Sequence, residues 1–164
     1  MKLGMISGFS ASSFDYVKSL GLEFIESCRN DDDEANAFIA NVSSIKDNIK
    51  RTGITIQSVG RWNSQPNDGA KFNNQQMEIQ YKLLDAAVDV GAPVFVCGCN
   101  YSDKVSLFKN YAFAVEYFGK ILEYANGRIK VAAYNCDWEN FVHSPMDWKL
   151  VLGELPELGI KFDC

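Results

Sequence analysis

The chain has 164 residues, 47% hydrophobic and 23% charged, with a formal net charge of −5. That is enough apolar chain for a single domain over residues 1–164 with a real core. The Lys/Arg deficit argues against non-specific nucleic-acid binding, and no apolar run or polybasic stretch points to a membrane or a signal peptide, so a cytoplasmic protein is expected.

In chain order, "KLGMIS" reads as a first strand and "FDYVKSLG" as a short helix. A phrase then recurs: "LGLEFIES" from Leu20, "TGITIQSVG" from Thr52, "VGAPVFVCG" from Val90, "NGRIKVAAYN" from Asn126 and "LGIKFDC" from Leu158. Each has a Gly, a spacer and an apolar, β-prone run. Gly in the left-handed conformation ends a helix. The run after it, without polar alternation, suits a strand buried on both faces.

The segments between these phrases read as helices. "ANAFIANVSSIKDNIKRTG" puts Phe38, Val42, Ile45 and Ile49 on one stripe. "QMEIQYKLLDAAVDVGA" does so with Met77, Tyr81, Leu84 and Val88, and "NYAFAVEYFGKILEYANG" with Phe113, Tyr117, Ile121 and Tyr124. Spacings of three and four mark core-facing helix stripes. Ser144-Pro145 reads as a further helix start, with Ser144 as N-cap.

Strict β/α alternation with helix-length crossovers predicts a parallel sheet with right-handed connections. Two architectures fit. An open doubly wound sheet, flavodoxin-like, suits the length. A (β/α)8 barrel typically takes about 250 residues. No G-x-G-x-x-G or P-loop signature follows any strand, which weakens the open-sheet reading.

Both architectures place chemistry at the C-terminal ends of the strands. Those ends carry Ser7, Glu26 and Cys28, Arg61-Trp62-Asn63, Cys99-Asn100-Tyr101, Tyr134-Asn135-Cys136-Asp137 and Asp163-Cys164. Glu26 and Asp163 directly follow apolar runs, and a carboxylate there needs a partner or a metal. Glu26 could relay a proton or bind substrate. The plainer alternative is an ion pair with Lys or Arg on a neighbouring strand. Trp62 and Trp138 follow strands and could line a sugar pocket, whereas Trp148 reads as core. His143 reads as a surface-loop residue. Cys28, Cys99, Cys136 and Cys164 could converge on one face as a thiolate site, although reduced, half-buried thiols are the ordinary explanation. Cys97-Gly98-Cys99 is a weak zinc signal.

The segments "FDYVKSLGLEFIES", "IKDNIKRTGITIQSVG", "LLDAAVDVGAPVFVCG" and "NFVHSPMDWKLVLGELPELGIKFD" resemble the sugar phosphate isomerase/epimerase family with the xylose-isomerase-like TIM barrel. The resemblance runs through the whole chain. It implies an incomplete parallel (β/α)8 barrel of about six strands and five helices. It also implies metal-dependent proton or hydride transfer next to the carbonyl of a sugar or sugar phosphate, with a divalent metal (Mn, Mg, Zn or Co). The family's metal ligands are a Glu ending the fifth strand, an Asp ending the sixth, a His from the seventh and a Glu from the eighth. Asp163 matches the sixth-strand Asp. The fifth strand departs: Tyr134-Asn135-Cys136 stands where the family commonly has Glu-Asn-His.

The resemblance therefore implies Asp163 as a metal ligand, and Glu26, from its position at a strand end, is the candidate catalytic group. The substrate-binding candidates are Trp62, Asn100, Tyr134, Asn135 and Trp138. The alternative is a non-catalytic carbohydrate-binding homologue or an inactive fragment, which Tyr134 in place of Glu favours. Six strands would leave two open edges. Further residues after Cys164, or a second copy of the chain, are expected to cover them.

Overall fold

The glycine phrase ends helices as its chemistry requires, with Gly21, Gly53, Gly91 and Gly127 all at positive φ. The fifth instance differs, because Gly159 lies within a strand. The computed structural model describes residues 2–136 and 140–162. Among them the chain forms β1 (Gly4–Ile6), α1 (Ala11–Ser19), β2 (Phe24–Cys28), α2 (Asp32–Ala40), α3 (Val42–Thr52) and β3 (Thr55–Arg61). It continues through α4 (Asn74–Asp89), β4 (Val94–Cys97), α5 (Leu107–Ala125), β5 (Lys130–Tyr134), α6 (Pro145–Glu154) and β6 (Gly159–Lys161).

Six helices stand where five were expected. The long stripe from Phe38 to Ile49 is broken at Asn41, which ends α2 and precedes α3. Asn41 Nδ2 donates to the Ala37 carbonyl at 2.8 Å. An Asn side chain that satisfies the last-turn carbonyl competes with the backbone and closes the helix. At Ser144 the expectation holds: its hydroxyl accepts from the Asp147 N–H, Asp147 reciprocates, and Pro145 takes the first turn.

All six strands are parallel and pair in sequence order, β1-β2-β3-β4-β5-β6. A doubly wound sheet reverses order at its switch point. The sequential order removes that reading and leaves the barrel. Curvature is visible in one contact. Flat, the sheet would hold β2 and β6 four spacings apart, about 19 Å. Instead Lys161 Nζ of β6 lies 3.2 Å from Glu26 Oε1 of β2. The sheet is curled, and these two side chains meet inside it.

The two faces of the curl are filled differently. Ile25, Ile56, Val59, Phe95, Cys97, Val131 and Ala133 face outward into the main core with Phe38, Leu83, Leu84, Phe118 and Ile121 of the helices. Trp62, Val96 and Tyr134 form a second cluster on the inner face, with Cys28, Val94 and Cys136 against it. Ile56 and Val59 are three residues apart, yet both face outward. Gln57 is the reason. Ile25 pairs with Ile56 but Glu26 pairs with Ser58, so β3 carries one extra residue. This bulge resets the alternation, sending Arg61 to the helix side and Trp62 to the interior.

Candidate active site

Glu26 and Lys161 lie on the inner face near the C-terminal strand ends, their side chains 18% and 15% exposed. Trp62 and Tyr134 stack beside them with ring centroids 4.5 Å apart. The Lys161 ammonium sits 5.2 Å from the Trp62 ring centroid and 5.1 Å from that of Tyr134. A cation over an aromatic face gains about 0.5–2 kcal/mol, more as water is excluded. Glu26 Oε1 has no aligned hydrogen-bond donor among the described residues, so its contact with Lys161 is an attraction between charges. Of the two readings of Glu26, the ion pair is present. Its partner comes from across the barrel and not from a neighbouring strand.

Small residues make room for the stack. A Cβ on Gly60 would come within 2.3 Å of the Trp62 ring, and one on Gly98 would reach the Trp62 carbonyl oxygen at the same distance. The indole is thereby held between β3 and the end of β4. Two buried asparagines fix the loops around it. Asn140 accepts from the Cys99 N–H at 3.0 Å and donates to the Tyr134 carbonyl, tying the ends of β4 and β5 together. Asn110 joins Asn67 and Ser102 in the same way.

Trp62 and Tyr134, expected from the sequence to meet substrate, are thus brought together. Asn135 follows directly at the end of β5, half-buried. Asn100 does different work. Its Oδ1 accepts from the Asn67 N–H at 2.9 Å and its Nδ2 donates to the Asn67 carbonyl at 3.0 Å, clasping the loop after β3 to the loop after β4. Trp138 and Asp163 fall outside the described residues. His143 is exposed, as expected, and Trp148 packs against the main core.

Of the strand-end cysteines, Cys99 does not join the others. Cys28 and Cys136 border the inner cluster, whereas Cys97 and Cys99 are buried on the helix side. Cys164 lies outside the described residues. Burial pushes the Cys28 and Cys97 thiols up to about 12, which keeps them protonated. Among the described residues no group of three or more His, Cys, Asp or Glu side chains is placed to hold a metal ion. The described residues at the mouth do not fit a divalent cation, because their carboxylate already faces an ammonium.

Lys161 is the group that sequence reasoning missed. Its signal was present: a lysine between Ile160 and Phe162 in a run read as buried on both faces.

No family model matches the chain, and no curated protein does. Solved structures do match. An apo 3-keto-D-glucoside 4-epimerase from E. coli superposes with a TM-score of 0.76 at 14% identity, over 97% of this chain and 67% of that one. The fold is the parallel (β/α) barrel that this epimerase also has, with six of its strands among the described residues. A xylose isomerase domain protein from Planctomyces limnophilus gives 0.70 at 13%, covering 98% and 62%. A D-psicose 3-epimerase from Clostridium cellulolyticum H10, solved with D-tagatose, gives 0.73 at 11%, covering 97% and 59%. The chain spans about three fifths to two thirds of the length of these barrels, and six strands of the architecture are present. No helix among the described residues is long and apolar enough to cross a membrane.

Proposed function

We propose that the chain carries out isomerase or epimerase chemistry on a sugar or sugar phosphate in the cytoplasm, by proton transfer next to the substrate carbonyl. The observation that carries this is the Glu26–Lys161 pair against the Trp62–Tyr134 stack, inside a barrel of this type. Proton abstraction next to a carbonyl needs a base and a stabiliser for the oxygen that gains charge. Glu26 is the carboxylate in reach. Lys161 brings three N–H donors on one cation, so it can face both Glu26 and a substrate oxygen. The aromatic faces offer the C–H side of a sugar an apolar surface.

The divalent metal implied by the family resemblance would need carboxylates from beyond the described residues, Asp163 among them. When bound it would polarise the substrate carbonyl. Of this chain's own residues, Glu26 holds or moves the proton and Lys161 orients the oxygen.

The test is proton exchange. The protein, with and without added Mn2+, is incubated in D2O with D-fructose, D-tagatose and D-allulose, and the carbonyl-adjacent proton is followed by NMR. Deuterium uptake that Glu26→Gln abolishes is the expected result. Saturable sugar binding with no exchange under either condition defeats the catalytic reading. It would establish the second one, a non-catalytic carbohydrate-binding protein, which Tyr134 at the position of the family's Glu favours.

A further inference from the structure

The outer faces of α5 and α6 carry large apolar side chains in water. Phe108 is 80% exposed and Met146 62%. Each stands in the first turn of its helix. The same helices carry glycines further down, Gly119 in mid-α5 and Gly153 in the last turn of α6. Glycine inside a helix costs up to about 1 kcal/mol against alanine. Neither glycine has positive φ. A Cβ on Gly119 would meet only Leu155, at an ordinary 3.8 Å, and one on Gly153 would meet nothing within 4 Å. The chain's own packing therefore demands neither glycine.

Phe108 and Gly119 are about three turns apart and Met146 and Gly153 about two, so each pair shares one face of its helix. Beside Gly119 a cleft of about 660 Å3 opens between α5 and α6, with Leu122, Ile129, Val131 and Leu155 among its walls. Each helix thus presents an apolar knob near its start and a recess towards its end. The two helices run level with each other. Tyr111 donates to Asp147, and Gly119 lies against Leu155; both contacts join residues equally far apart in sequence. The midpoint between Phe108 and Gly119, at 113–114, is therefore level with the midpoint between Met146 and Gly153, at 149–150.

One two-fold axis crossing both helices at that height lays α5 antiparallel on its copy and α6 antiparallel on its copy. Phe108 then meets the partner's Gly119 and its cleft, and Met146 meets the partner's Gly153, each contact made twice. Charge agrees with this placement. Lys109 is exposed beside Phe108 and makes no ion pair among the described residues. The axis carries it to the partner's Glu116. Within its own helix Glu116 faces Lys120 at 3.7 Å, and a carboxylate has a second oxygen for another cation.

We propose that α5 and α6 form the interface of a two-fold homodimer, with Phe108 seated in the partner's α5–α6 cleft and Lys109 paired with the partner's Glu116. The surface lies outside the helix layer, so it leaves Glu26 and Lys161 inside the curl untouched.

The test is sedimentation equilibrium of the full chain over micromolar concentrations, with far-UV circular dichroism to show that each variant is folded. A mass twice that of one chain is expected. Phe108→Asp should raise the dissociation constant about thirtyfold or more, as for a central interface anchor. Gly153→Leu should weaken the dimer even though it favours the helix and meets nothing in its own chain. Lys109→Glu and Glu116→Lys should each weaken it about fivefold, since symmetry counts the pair twice, and the double variant should restore it. A monomer at every concentration overturns the proposal. So does a dimer that Phe108→Asp and Gly153→Leu leave unchanged, because its contact lies elsewhere, as at the edges of β1 and β6. A double charge variant no tighter than either single also overturns it.

Discussion

The two faces of the sheet solve different problems with the same strands. The outer face is a continuous apolar layer in which Phe95, Val59, Ile25 and Ala133 meet the helices with no exposed surface. The inner face carries a smaller cluster plus an ion pair spanning the curl. The outer face supplies stability that the inner face then spends. Burying Glu26 and Lys161 even partly costs desolvation that their attraction only roughly offsets. Stability and chemistry are separated by nothing more than the alternation of side chains along each strand.

That contrast can be broken from the outer side first. Phe95→Ala should cost about 3–5 kcal/mol, the usual range for a fully buried aromatic, seen as a lowered urea midpoint with an unchanged slope. A loss under 1 kcal/mol would mean that the helix-side layer is not the stabilising one.

The second test asks whether both faces are dry. Cys97 on the outer face and Cys28 on the inner are each held at about 12 by burial. The native state keeps these protons at pH values where the unfolded chain, with ordinary thiols near 9, has released them. Unfolding then binds fewer protons, so stability is at full strength below pH 9 and declines as pH rises from 9 toward 12. Urea midpoints at pH 8 and pH 10 check the sign. At pH 8, iodoacetamide should alkylate Cys28 between a hundred- and a thousandfold more slowly than an unhindered thiol. Rapid alkylation would show that water reaches the inner cluster.

Gly98→Ala should cost up to about 3 kcal/mol, because its Cβ meets the Trp62 backbone and not a flexible side-chain end. Trp62 emission should shift in the same variant. Lys161→Met should cost about 1–2 kcal/mol, below the 3–5 of a fully buried pair because both side chains retain some exposure. The double variant Lys161→Met/Glu26→Gln should cost less than the two singles summed, and simple additivity would mean that the pair does not couple. The smallest effect belongs to Ser144→Ala, about 1 kcal/mol for a lost N-cap, read as a fall in thermal midpoint.

Much of the fold was legible because the glycine phrase couples a helix stop to a strand start. The α2–α3 break was not, since Phe38, Val42, Ile45 and Ile49 keep helical spacing straight across Asn41. Order of pairing was also beyond composition and length, which on their own favoured an open sheet. At the site, Glu26, Trp62 and Tyr134 could be read from strand-end positions. The Glu26–Lys161 contact could not, because it depends on how tightly the sheet curls. Asn140 gave little sign of its role: a loop asparagine is usually solvated.

The extra residue in β3 decides which side of the wall the strand end serves. Unbroken alternation from Ile56 through the same residues would turn Arg61 into the barrel and Trp62 into the helices. Deleting Gln57 would not do so, because Ser58 already sits opposite Glu26 and the rest of the strand keeps its pairing. Deleting Val59, beyond the bulge, would exchange the two sides. Two single-codon deletions two positions apart would thus have opposite consequences for what the mouth presents.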